Sequence, residues 1–384
     1  MPQPGNAQTK ITVEKGTAYD FLSSLLVLHA PKKFALRGAW ASGMLARLSP
    51  DSRETLGRAV PIVGCPVQLV PSLPEPKDVE TLLWHLGRWD PTELLEQITC
   101  SEELRQCGCK EIFSEVADRG RWTSDDRERL QRSLANESAK EKEMSDEKLD
   151  AMLDLWADAR GFGEAYLAAL RNYQDVFFHE EEKRIAAAIA TAAERAAEQA
   201  KKLPLPDLIE EISGGLRYED LSSAREVVLA PSYWIAPLLI RMWLDPDRLL
   251  FVFGARAASD SIVPGETVPD GLIRALKALS DPTRLRILRL VNGRPMGAAE
   301  LARTLRLRTP TMLHHLHALR LSGLIQIRIP DGDSKQKALF SLRPQAVRDV
   351  ASALDAFLRG SAAEERVDAE AKGRTETQET SQGG

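Results

Sequence analysis

The chain has 384 residues, of which 43% are apolar and 28% charged, with a formal net charge of −5. This is the profile of an ordinary globular protein with room for two or three cores. Four cysteines (Cys65, Cys100, Cys107, Cys109) make no disulfide framework. Residues Met1–Lys10 contain no apolar signal region, and the most apolar stretch, Val227–Leu244, is broken by Pro231, Pro237 and Arg241; neither a secretory signal nor a membrane span is expected, and the predicted location is cytoplasmic.

Charge is distributed unevenly. Asp270–Gly360 holds 16 Lys and Arg against 7 Asp and Glu, a net of +9, whereas the remainder is net −14. A basic module attached to an acidic body predicts a polyanionic partner at the basic end.

In chain order, residues 1–9 read as a disordered tail, Lys10–Glu14 alternates as a short strand, and Ala18, Phe21, Leu22, Leu25 and Leu28 fall on one helical face. Lys77-Asp78 and Asp90-Pro91 open further helices, with aspartate at the N-cap. Residues 136–148 are almost entirely charged or small polar and read as a solvated linker inside a helical domain spanning 10–203; Leu149–Lys202 predicts one or two long helices. Texture changes at Pro204. Arg225–Leu229 and Leu249–Phe253, with an element within Trp234–Trp243 between them, predict a small antiparallel β meander in a subdomain over 204–260. Ser261–Pro269 reads as a hinge. All seven tryptophans and all five tyrosines precede residue 244; they form either core or the lining of an effector pocket.

Residues 268–360 show a clear order of elements. Helices are predicted over 271–279, over 282–291 behind an Asp281-Pro282 start, over 298–305 and over 309–321. Gly323 supplies a left-handed stop, after which Ile325–Ile329 and Lys337–Leu342 read as two strands around an Asp331-Gly332-Asp333 turn. A last helix, 344–359, is followed by a second disordered tail, 361–384. The predicted fold class is mainly α: an N-terminal helical domain with a small antiparallel β meander, then a C-terminal winged helix-turn-helix.

Three stretches, LSDPTRLRIL (279–288), AELARTL (299–305) and PTMLHHLHALRLSGL (310–324), stand in the order and spacing of the arsenical-resistance repressor (ArsR) family of bacterial regulators, which this region resembles. LPEPKDVETLL (73–83), APSYWIAP (230–237) and DRLLFVFGAR (247–256) resemble an N-terminal extension carried by some long members of that family. The resemblance implies a repressor that binds double-stranded DNA as a homodimer, with residues 309–321 as recognition helix. In a major groove about 12 Å wide, the N-terminal half of such a helix faces base edges. Arg308, Thr309, Thr311, His314, His315 and His317 would point outward, with Arg320 nearer the backbone; Arg306, Arg328, Lys335 and Lys337 would meet phosphates. Met312, Leu316 and Leu319 are assigned to the core. Leu313 departs from the family, many members of which carry serine there.

Leu272 on the first helix, with Val347, Val350, Ala351, Leu354, Phe357 and Leu358 on the last, is the predicted dimer surface. The third helix lacks cysteine and the last lacks histidine, so the metal ligands of the family's sensors are missing and neither metal nor cofactor is expected. Cys100, Cys107 and Cys109 remain candidates for a thiol sensor against free structural thiols. No phosphate-cradling loop or nucleophile elbow is present in the sequence, and no enzyme activity is predicted. The input is assigned to an unknown small-molecule or protein effector at the N-terminal region. The alternative reading is a scaffold whose winged helix contacts protein rather than DNA.

Overall fold

Lys10–Val13 forms a strand, β1, as its alternation predicts, but its partner lies 216 positions along the chain: Lys10 to Val13 run parallel to Glu226 to Leu229. The computed structural model describes residues 9–34, 36, 38–99, 108–137, 145–219, 221–257, 260–263, 268–330 and 337–359. They fall into two units, one of residues up to Leu208 with Asp220–Arg256, the other of Ile209–Glu219 with Ala257 onward. The predicted tails, most of the charged linker and the wing turn at 331–333 lie outside the described residues.

The first unit is mostly helical. Its helices are α1 (Thr17–His29), α2 (Gly38–Leu45), α3 (Pro50–Val63), α4 (Val79–Leu86), α5 (Pro91–Thr99), α6 (Cys109–Arg119), α7 (Ser124–Glu137), α8 (Asp146–Ala157), α9 (Ala159–Tyr173) and α10 (His179–Ala200). The predicted starts hold: Asp78 Oδ1 accepts from the Thr81 amide at 2.8 Å, and Asp90 Oδ1 from the Thr92 amide at 3.0 Å. A π-turn at Gln174–Phe178 joins α9 to α10 without a break.

The strands β3 (Glu226–Ser232), β4 (Leu239–Trp243) and β5 (Arg248–Gly254) form a mixed sheet ordered β1-β3-β5-β4. The predicted antiparallel meander is therefore corrected: β3 and β5 are parallel neighbours, and only β4 runs antiparallel, at the edge. Val227–Ser232 and Leu249–Phe253 are buried without alternation, the pattern of central strands covered on both faces. Helices α1 and α10 pack on β3. The separate 204–260 subdomain is likewise not formed, because these strands need β1 to complete their sheet. Part of the aromatic set serves as core, where Phe21 meets Tyr173 and Phe178 at 5.4 and 5.2 Å and Phe177 meets Trp234 edge-on at 5.8 Å, whereas Trp84 is 57% exposed.

The second unit contains the end of α11 (Leu205–Ser213) and β2 (Leu216–Tyr218), then α12 (Asp270–Leu279), α13 (Pro282–Gly293), β6 (Met296–Gly297), α14 (Ala298–Thr304), α15 (Thr309–Leu321), β7 (Ile325–Ile329), β8 (Leu339–Leu342) and a last helix, α16, over 344–359. Asp281 Oδ1 caps α13 by accepting from the Thr283 and Arg284 amides at 2.8 and 3.0 Å. Gly323 ends α15 at φ +70°. Ile287, Leu301, Met312, Leu316, Leu319 and Phe340 close one core between the helices and the wing.

Two strands were not anticipated. Short β6 pairs with β8, and β2 adds to the free edge of β7 in parallel, Leu216 to Tyr218 opposite Ile327 to Ile329. The edge that a two-stranded wing would leave open is thus covered by a segment contributed from far upstream. Gly215 makes this approach possible: its φ is +115°, and a Cβ there would stand 2.8 Å from the Ile325 carbonyl oxygen.

Candidate nucleic-acid interface

The turn before α15 is closed by backbone bonds from Arg306 N to Arg303 O (3.2 Å) and Leu307 N to Ala302 O (2.9 Å), with Arg306 in the left-handed region at φ 55°. Arg308 is the N-cap residue in extended conformation, and Pro310 sits in the first turn, where its missing N–H costs nothing. Helix α15 then divides by periodicity. Met312, Leu316 and Leu319 are 0 to 2% exposed, as predicted, and they fix how far the helix can rotate about its axis.

The opposite side lies open. Arg306, Arg308, Thr309, Thr311, Leu313, His314 and His317 are exposed. This face combines guanidinium, hydroxyl, imidazole and one apolar group in the N-terminal half of the helix. Partial burial, then the neighbouring His314 and Arg320, push the His317 imidazole below its ordinary range, so it stands neutral near pH 7 and can both donate and accept.

Two expected contacts are corrected. Arg320 is buried, and its Nη2 donates to the Ser213 carbonyl oxygen at 2.9 Å. Burial, with Arg343 nearby, lowers it to about 10; it still carries charge but is turned into its own unit, one helical turn beyond Leu316 on the core side. His315 is also drawn inward, its Nδ1 standing 3.9 Å from Asp281 Oδ2 at the start of α13. Two adjacent histidines project about 100° apart on a helix; here His314 takes the open side and His315 the inner one.

On the wing, Lys337 is exposed and Lys335 lies outside the described residues. Arg328 is half-buried on β7, with its Nε 3.8 Å from Glu219 Oε1, just past β2. The added segment therefore offers this arginine a carboxylate that a two-stranded wing lacks.

The predicted dimer surface separates into two groups. Leu272 is 5% exposed, and Val347 and Val350 pack against the unit's own core; these three are used within the protomer. Ala351 is exposed, Leu354 and Phe357 are half-buried, and Leu358 is 58% exposed on α16. Leu276 on α12, which the sequence places on the apolar face with Leu272 but not in the predicted dimer surface, is 38% exposed. Its position one turn after Leu272 is the signal that could have found it: the apolar stripe of α12 is wider than the single face its core needs.

In the first unit, Cys109 is buried and disulfide-bonded, with its partner outside the described residues, while Cys65 is a free thiol whose burial pushes it up to about 12. Cys109 is thus not the free structural thiol considered from sequence; Cys100 and Cys107 lie outside the described residues. Among the described residues, no group of three or more His, Cys, Asp and Glu side chains is placed to hold a metal ion, and no helix is long and apolar enough to cross a membrane.

Residues 279–328, from the end of α12 through α15 into the wing, match the helix-turn-helix domain family. The chain is also similar to the transcriptional repressor SdpR of Bacillus subtilis (strain 168), at 34% identity over 73 residues, which amount to 19% of this chain and 77% of that protein.

Proposed function

The chain belongs to the ArsR-type winged helix-turn-helix regulators and is a DNA-binding transcription regulator; on that basis we propose that it represses transcription as a homodimer on a pseudo-palindromic operator, with its input arriving through the N-terminal unit. The observation that carries the DNA-reading part is the division of α15: a core face of Met312, Leu316 and Leu319, and an open face of Arg308, Thr309, Thr311, His314 and His317. A helix held on one side and polar on the other can enter the major groove without unfolding anything. Arg306 and Lys337 flank it and supply phosphate contacts, hence affinity and salt dependence rather than sequence preference.

Dimerisation rests on Leu276, Ala351, Leu354, Phe357 and Leu358, which are among the apolar groups that α12 and α16 leave exposed or half-exposed. A two-fold axis through this surface presents two recognition helices to half-sites about 34–36 Å apart.

The input route rests on connectivity. The chain enters the second unit at Ile209, leaves it after Glu219, and re-enters at Ala257. Its first visit leaves β2 hydrogen-bonded to the wing, with the Ser213 and Gly214 carbonyl oxygens accepting from Arg320 and Arg343. An effector that displaces this segment alters the end of α15 and the root of the wing together. A differential affinity of ~1–3 kcal/mol between the two arrangements shifts operator binding roughly 5- to 150-fold.

The test is selection of duplexes from a randomised pool with the full-length protein, followed by footprinting. A protected pseudo-palindrome with half-sites one helical turn apart supports the proposal; absence of any sequence preference at low salt overturns it.

A further inference from the structure

Leu313 is 49% exposed, the large apolar side chain that α15 leaves in solvent. It lies in the first half of the helix, four residues after Thr309 and four before His317, so the three form one strip along the open face. Folding does not explain it, because the core side of α15 is already filled by Met312, Leu316 and Leu319. A leucine neither donates nor accepts a hydrogen bond, so it can read a base edge only by burial. Among the groups displayed in the major groove, the apolar one is the 5-methyl of thymine; the other edges are donors and acceptors that leucine would strip of water without replacing it.

We propose that Leu313 is a specificity-determining residue that selects thymine at one position of each operator half-site by packing on its 5-methyl group. This rests on the reading of α15 as the groove-entering helix. Thr309 and His317, on either side along the same strip, keep polar contacts to neighbouring edges or phosphates, so the leucine contributes discrimination at a single base step. The same geometry disfavours guanine and cytosine there, whose groove edges would lose hydration against the side chain.

The experiment starts from the operator selected with the full-length protein. Each thymine of a half-site is replaced in turn by deoxyuridine, which removes the methyl and leaves every hydrogen-bonding edge intact. We expect one thymine per half-site whose replacement weakens binding about fourfold, the value of burying about one methyl group. With Leu313→Ala, an exposed truncation that leaves the core untouched, the thymine and deoxyuridine operators should bind alike; with Arg308→Ala the fourfold difference should persist. Repeating the selection with Leu313→Gln should change the preferred base at that position and no other. A methyl effect that survives Leu313→Ala, or a selected operator on which no thymine methyl matters, overturns the inference while leaving the regulator reading intact. Failure to select any operator overturns both.

Discussion

The Arg320 guanidinium, at the C-terminal end of the recognition helix, donates through Nη2 to the carbonyl oxygen of Ser213, 107 residues earlier, at 2.9 Å. The bond is buried and ties α15 to the 209–219 segment of the same unit. Replacing Arg320 with methionine keeps most of the apolar stem but leaves the Ser213 oxygen without this donor, at a cost of about 1–3 kcal/mol. Urea unfolding should register that loss. The slope of log affinity against log salt should not change, because Arg320 is buried and bonded to Ser213 rather than open to a ligand; Lys337→Ala should instead reduce the slope by about 1.

Thr311 and His314 are exposed on the open face, and their replacement by alanine should cost ~1–3 kcal/mol at particular base pairs. Titrating the double variant against single-base operator mutants measures this. A uniform loss across all sequences would instead assign both side chains to the phosphate backbone.

Leu276 and Leu358 are 38% and 58% exposed. If the proposed two-fold axis runs through this surface, Leu276→Glu with Leu358→Glu should place like charges across it and yield a monomer in sedimentation velocity, with helical content unchanged because neither side chain belongs to the buried core cluster. Operator affinity should then fall steeply, since each half-site is held alone.

Asp20 on α1 is fully buried; its Oδ1 accepts from Ser232 Oγ at 2.8 Å and from the Trp234 amide at 2.9 Å. Burial pushes the carboxyl up to about 7, against the opposing pull of those hydrogen bonds. An unfolded aspartic acid loses its proton near pH ~3.9, so between about pH 4 and 7 the native state binds more protons, and stability declines as pH rises through that window before levelling off. Asp20→Asn keeps an oxygen acceptor without a titrating group. Urea midpoints at about pH 5 and pH 8 should therefore differ more for the natural chain than for the variant.

Much of the second unit was legible along the chain. Asp281-Pro282, Gly323 and the period of Met312, Leu316 and Leu319 are signals contained within one or two helical turns, and they placed α15 and β7 at the residues observed. The polar face of α15 followed from the same period. Local pattern is an incomplete guide to the far side of a residue. Arg320 falls at the margin of the core face, and only the arrival of Ser213 turns it inward. His315 is claimed by Asp281 from another helix. Val347 and Val350 belong to an apolar stripe broad enough to serve two partners, and the protomer takes the end nearer the wing.

A cationic winged helix whose fourth helix has an open, largely polar face was readable from the chain alone, because helix period, caps and turn residues are short-range properties of the backbone. Which strands pair within each unit was set by tertiary contacts. Parallel pairing of β1 with β3, β3 with β5 and β2 with β7 requires strands brought together by long crossovers, for which no neighbouring residues carry a signature. The same pairing decided which cations face outward, since the segment that completes the wing sheet also buries Arg320 and brings Glu219 beside Arg328.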